Sequence, residues 1–191
     1  MRTALATALL WAIAPLSAQT PVPSDARQVH WERSLDDALA VCRATGKPLL
    51  LSVNMDGESA SDRIVHEEYV DPEFVALTRH CVCLGASVFR HNARDYDDEG
   101  RRIACPRFGG ITCGEHMALE PVLFEKYLAD GERVAPRHAL VLADGKKAFD
   151  LSLCFDLRDI DRALATALEG VEPPRGTEAP TAKDWDALAA R

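Results

Sequence analysis

From residue 34 to residue 168 the apolar positions switch repeatedly between helical spacing and short continuous runs. Leu35, Ala38, Leu39 and Cys42 recur at the spacing of one helix face. Ser34 precedes them as an N-cap candidate with Asp37 as its capping-box partner, and Gly46 and Pro48 end the helix. Leu49 to Val53 is a short apolar run suited to a buried strand, and Asp56-Gly57 marks a turn. Ser59 to Glu68 reads as helix around Ile64 and Val65. Asp71-Pro72-Glu73 opens another, with Asp at the cap, Pro at the first position and an acid near the positive dipole end. Val82 to Val88 predicts a strand. A helix follows from about Glu115 to Leu128 despite Pro121, then strands at Ala139 to Leu142 and Ala148 to Leu153 around an Asp144-Gly145 turn. Asp159 to Leu168 predicts an amphipathic helix. Helices alternating with strands, and a hairpin last, predict an α/β fold: a mixed central sheet with helices on both faces.

Three segments fall outside this pattern. Met1-Arg2, an apolar stretch from Thr3 to Leu16 and the small pair Ser17-Ala18 have the outline of a signal peptide, so residues 1–18 are expected to direct export to a periplasm or the extracellular space. Residues 19–30, with Pro21 and Pro23, read as a leader, and the domain is expected over 31–170. Residues 89–112 read as a long inserted loop of alternating Arg and Asp, with Pro106 and Gly109-Gly110. Loops of that length in a compact domain are usually functional or mobile. Residues 171–191 read as a Pro-rich linker and a short terminal helix around Trp185. No apolar run reaches the ~20 residues of a spanning helix. Across 191 residues a formal charge of −8 speaks against nucleic-acid partners, because phosphate neutralisation needs a basic surface.

Gly46-Lys47-Pro48-Leu49-Leu50-Leu51, then Val70-Asp71-Pro72-Glu73-Phe74, then Val134-Ala135-Pro136 with Ala139 to Lys146, resemble the secreted thioredoxin-like family in order and spacing. The resemblance spans roughly residues 30 to 170 and implies a thioredoxin-like three-layer sandwich. It also implies that Pro136 is a cis proline facing the loop after the first strand, with Arg137 and His138 beside that loop, where they can bind an anion or a peptide backbone. The family's thiol chemistry needs Cys-x-x-Cys in that loop, at a helix N-terminus that favours a thiolate. Here the loop is Met55-Asp56-Gly57-Glu58-Ser59-Ala60-Ser61-Asp62, with Glu58 and Ser61 near the two cysteine positions. Neither forms a disulfide, so standard thioredoxin activity is not expected, and Glu58 reads as a helix cap.

The chemistry-bearing residues lie elsewhere. Of six cysteines, Cys105 and Cys113 fall in or beside the insertion, and His116 follows three residues after Cys113. An exported chain with six cysteines can form up to three disulfides, and one between Cys105 and Cys113 would close a short loop. Two thiolates and an imidazole can instead hold zinc or copper with a fourth ligand from His66, His91 or His138. Cys42, Cys81, Cys83 and Cys154 read mainly as buried packing residues. Glu120, one turn after His116, can orient the imidazole. Asp95 to Gly100 faintly matches a calcium loop, but Pro106 stands where a bidentate Glu is required. Three functions stay open. The first is a non-catalytic binding or scaffold module for a protein or peptide partner, with residues Glu58, Ser61, Pro136, Arg137 and His138. The second is a periplasmic thiol-disulfide oxidoreductase using Cys105 and Cys113. The third is a metal-binding protein using Cys105, Cys113 and His116.

Overall fold

The computed structural model describes residues 28–169. The expected signal peptide, most of the leader, the linker and the terminal helix lie outside the described residues. Helix α1 (Leu35–Thr45) begins where Ser34 accepts the Asp37 N–H, and it stops at Gly46 in the left-handed region, φ 72°. Strand β1 (Leu49–Asn54) follows, then α2 (Ser59–Arg63), which widens into one π-helical turn (Ile64–Glu68). Asp71 caps α3 (Pro72–Thr78) by accepting from the N–H groups of Glu73 and Phe74, with Pro72 at its first position as expected. Strand β2 is Val82–Ser87. After the insertion come α4 (Cys113–Leu123), extended by a second π-helical turn (Phe124–Leu128), then β3 (Arg137–Val141), β4 (Lys147–Ser152) and α5 (Arg158–Leu168).

The sheet order is β2-β1-β3-β4. β1 and β2 are parallel, whereas β3 is antiparallel to both β1 and β4. This is the thioredoxin-like arrangement, and the Ala135–Pro136 peptide is cis, as the resemblance implies.

Side chains alternate along each strand, so the sheet builds two cores. Leu49, Leu51, Val53, Val82, Leu84 and Ala86 face α1 and α4 with Leu35, Leu119 and Leu123. Leu50, Cys83 and Leu140 face the other way, towards Ile64, Phe74, Ile160 and Leu164. The insertion contributes Cys105, Phe108 and Ile111 to this second core, and the start of α4 adds Cys113. The insertion is therefore packed into the fold and not merely attached to its surface. Trp31 crosses β2 so closely that a Cβ on Gly85 would lie 3.1 Å from two of its ring atoms and 3.2 Å from Phe108. Any side chain at this position would have to push those rings back by a few tenths of an ångström.

Candidate metal centre

Helix α4 starts two residues before the expected Glu115, because Thr112 and Glu115 form a reciprocal capping box. The Thr112 hydroxyl accepts the Glu115 N–H, and the Glu115 carboxylate accepts the Thr112 N–H at 2.7 Å. Cys113 and His116 thus lie three positions apart on the first turn, on one helix face. Cys105 is held opposite them by a tight turn: its N–H donates to the Ile111 carbonyl and its carbonyl accepts the Gly109 N–H, each at 2.7 Å. His91, at the start of the insertion, completes the group.

The ligand atoms of His91, Cys105, Cys113 and His116 all lie within 4.8 Å of one another. Cys105, Cys113 and His116 are fully buried, and the His91 side chain is 13% exposed. His91 Nδ1 is 3.2 Å from Cys105 Sγ and 3.8 Å from Cys113 Sγ. Zinc bonds of about 2.3 Å to sulfur and 2.0–2.1 Å to nitrogen put tetrahedral ligand atoms about 3.3–3.8 Å apart. The two measured separations bracket that range closely, so a small contraction of the cluster would complete a tetrahedron.

Each imidazole has a polar neighbour on the far side of the ring. His116 Nδ1 lies 3.3 Å from the Ser87 carbonyl, which can only accept, so the neutral ring carries its proton there. That leaves Nε2 as a lone pair, buried and without a partner among the described residues. His91 Nε2 lies 2.5 Å from Asp56 Oδ2, a charge contact without aligned hydrogen-bond geometry, and His91 Nδ1 faces the two sulfurs. Burial also keeps His116 neutral, holding its pKa down at about 4. Cys113 Sγ accepts the backbone N–H groups of His91 and Asn92 at 3.3 Å each. Burial pushes the Cys105 thiol up to about 11, against the pull of the Phe108 and Arg107 backbone N–H groups. Nitrogen and sulfur donors of this kind suit zinc or copper(I).

Of the three histidines considered for the fourth position, the structure brings His91 to the cluster. His66 is exposed on the first π-helical turn, and His138 is enclosed in the core with Nε2 2.9 Å from the Tyr69 hydroxyl. Glu120 does not orient His116; it pairs with Arg133. All six cysteines are free, so the expected Cys105–Cys113 disulfide is not formed. Cys81 and Cys83 belong to the second core, where burial pushes the Cys81 thiol up to about 12.

The other expected binding residues are engaged locally. Glu58 caps α2, accepting from the N–H groups of Ala60 at 3.1 Å and Ser61 at 2.7 Å. The buried Ser61 hydroxyl accepts the Met55 N–H at 3.2 Å. Arg137 does not lie open beside the loop: its guanidinium grips Asp150 through two 2.7 Å bonds and donates to the carbonyls of Leu128 and Glu132. Pro136 precedes it, its carbonyl accepting the Leu153 N–H at 2.8 Å. Sequence reasoning missed Asp56 and Arg107. Asp56 read only as half of an Asp-Gly turn, and Arg107 was not singled out in the inserted loop. The available signal was Asp56's place in the loop that carries the chemistry of related folds.

No protein-family model matches the chain, and no curated protein does. Among solved structures the chain is similar to a DsbH oxidoreductase at 16% sequence identity and a TM-score of 0.47, over 81% of this chain and 95% of that one. No helix among the described residues is long and apolar enough to cross a membrane.

Proposed function

We propose that this chain is an exported, thioredoxin-like metal-binding domain that holds one zinc ion through His91, Cys105, Cys113 and His116. The metal staples the 89–112 insertion to the start of α4, and the domain serves a protein or peptide partner as a binding or scaffold module. The observation that carries the reading is the convergence of four nitrogen and sulfur ligand atoms within 4.8 Å, with a buried, unpartnered Nε2 on His116. Four protein ligands leave no open coordination position, which is the character of a structural site rather than a catalytic one. Charge favours zinc over copper(I). Two thiolates and two neutral imidazoles around Zn²⁺ sum to zero, whereas Cu⁺ leaves one uncompensated negative charge in a buried site. Export rests on residues 1–18.

Elemental analysis with native mass spectrometry tests the reading. The mature protein, purified without chelator, is expected to carry one zinc per chain, and Cys113→Ser and His116→Ala to lose it. Protein isolated metal-free with a Cys105–Cys113 disulfide and active in insulin reduction would replace the reading with a displaced redox pair. One copper per chain would overturn the choice of ion.

A further inference from the structure

The loop between β1 and α2 contains no metal ligand, yet it touches the cluster at its most exposed member. Asp56 Oδ2 lies 2.5 Å from His91 Nε2, on the side of the ring away from the sulfurs. Asp56 Oδ1 lies 3.3 Å from Arg107 Nε, and Arg107 Nη1 lies 2.7 Å from Asp62 Oδ1 at the start of α2. The Arg107 side chain is only 9% exposed. Its backbone N–H meanwhile points to Cys105, two residues earlier. The contacts close a ring: from His91 to Asp56, to Arg107, to Cys105, and back to His91 Nδ1 at 3.2 Å.

From this ring we infer that Asp56 is a positioning residue of the metal centre, so that the loop which carries redox cysteines in thioredoxin-like proteins here supplies the outer shell of a zinc site. The inference rests on the zinc reading above and goes beyond it by assigning a role to that loop. The contact is a close charge pair and not an aligned hydrogen bond. A carboxylate held this near the far nitrogen of a ligand histidine favours the proton there and strengthens the opposite nitrogen as donor. Arg107 balances the Asp56 charge and anchors it to Asp62. The arrangement is a linkage in both directions. Whatever factor Asp56 adds to metal affinity, bound metal returns to the order of the 55–62 loop.

The test uses the full mature chain and four proteins: wild type, Asp56→Ala, Asp56→Asn and Asp56→Glu. Zinc affinity is measured by competition with a chromophoric chelator. The His91 tautomer is read from ring nitrogen chemical shifts in the metal-free protein. Asp56→Ala is expected to weaken zinc about 10–100-fold and to release His91 from its Nε2–H tautomer. Asp56→Asn keeps an oxygen acceptor without the charge and is expected to fall between, which keeps the test alive if the alanine variant folds poorly. Rescue by Asp56→Glu to within a few-fold of wild type separates a carboxylate's role from general loop damage. Unchanged zinc affinity with an unchanged tautomer in Asp56→Ala overturns the inference while leaving the zinc site standing. A wild type that takes up no zinc, yet holds His91 as the Nε2–H tautomer until Asp56 is removed, overturns the zinc reading while supporting the positioning contact.

Discussion

His138 is fully buried on β3, and replacing it by glutamine should change how stability depends on pH. Its Nε2 is 2.9 Å from the Tyr69 hydroxyl, which in turn accepts from Asn54 Nδ2 at 2.8 Å. With Asn54 donating to it, the tyrosine donates onward to His138 Nε2, and the ring stays neutral. Protonation would place a charge in a dry core, and burial alone holds the His138 pKa down at about 4, from 6.5. At 1.36 kcal/mol per pKa unit, a gap of about 2.5 units corresponds to about 3 kcal/mol. The unfolded chain binds this proton as pH falls through 6.5, while the folded chain refuses it until about 4. The stability is therefore present above 6.5 and lost progressively down to about 4. Glutamine offers Tyr69 an oxygen acceptor and never ionises. Urea unfolding of metal-free wild type and His138→Gln, from pH 8 to pH 4, isolates this group, because all other titrations cancel in the difference. The stability advantage of wild type should shrink by about 3 kcal/mol between pH 7 and pH 4. A difference that stays flat across that range would refute the reasoning.

Three further outcomes are expected. Glu68 is buried, and burial together with the nearby Asp161, Asp71 and Asp156 carboxyls pushes its pKa up to about 8. The folded chain holds this proton where the unfolded chain has released it, so stability should fall as pH rises from about 4.5 to 8. Glu68→Gln should flatten that limb and raise the melting temperature at pH 8 but not at pH 5, as read by calorimetry. Free zinc at about a hundred times its dissociation constant should add about 2.7 kcal/mol of stability. That corresponds to a rise of about 5–10 °C in Tm for a chain of this size, reversed by chelator in differential scanning fluorimetry; no rise would count against the site. Gly85→Ala should cost about 1–3 kcal/mol in chemical unfolding, because the new methyl meets the rings of Trp31 and Phe108; a cost below about 0.5 kcal/mol would show that those rings give way freely.

Features set by neighbouring residues were legible in the sequence, and features set by distant partners were not. The Ser34 and Asp71 caps, the Gly46 stop and the strand at Leu49 depend on a few adjacent positions, and the structure places them as expected. The start of α4 was misplaced by two residues, although Thr112 and Glu115 spell a capping box, because the pattern was followed from its apolar positions and not from its cap. Arg137 and His138 were placed beside the loop by analogy with related folds. Strand alternation sends them to opposite faces: Arg137 to Asp150, which lies diagonally across on β4, and His138 under Tyr69. Nothing in the sequence marks Asp150 or Tyr69 as their partners.

The candidate centre shows the same division more sharply. Cys105, Cys113 and His116 fall within twelve positions, so their type and spacing alone raised the metal reading. By spacing, His66, His91 and His138 were equivalent candidates for the fourth ligand. What separates them is how the insertion folds back: Arg90 and Asp95 pair at 2.8 Å, and Asp95 accepts the Gly114 N–H at 2.9 Å, pinning the start of the insertion to the start of α4. That clamp brings His91 over Cys113, whose sulfur then accepts the His91 N–H. The same edge of the sheet explains how the β1–α2 loop comes to touch the cluster. β1 and β2 end side by side at Asn54 and Ser87, so the β1–α2 loop and the start of α4 share one edge. At α2 the Glu58 carboxylate already accepts the Ala60 and Ser61 N–H groups and brings its negative charge to the helix start. At α4 the first helical residue is itself a cysteine, with His116 one turn on and the Ser87 carbonyl fixing its ring. The cysteine and histidine of this edge therefore sit at the start of α4, and Asp56 is the contact that joins the β1–α2 loop to them.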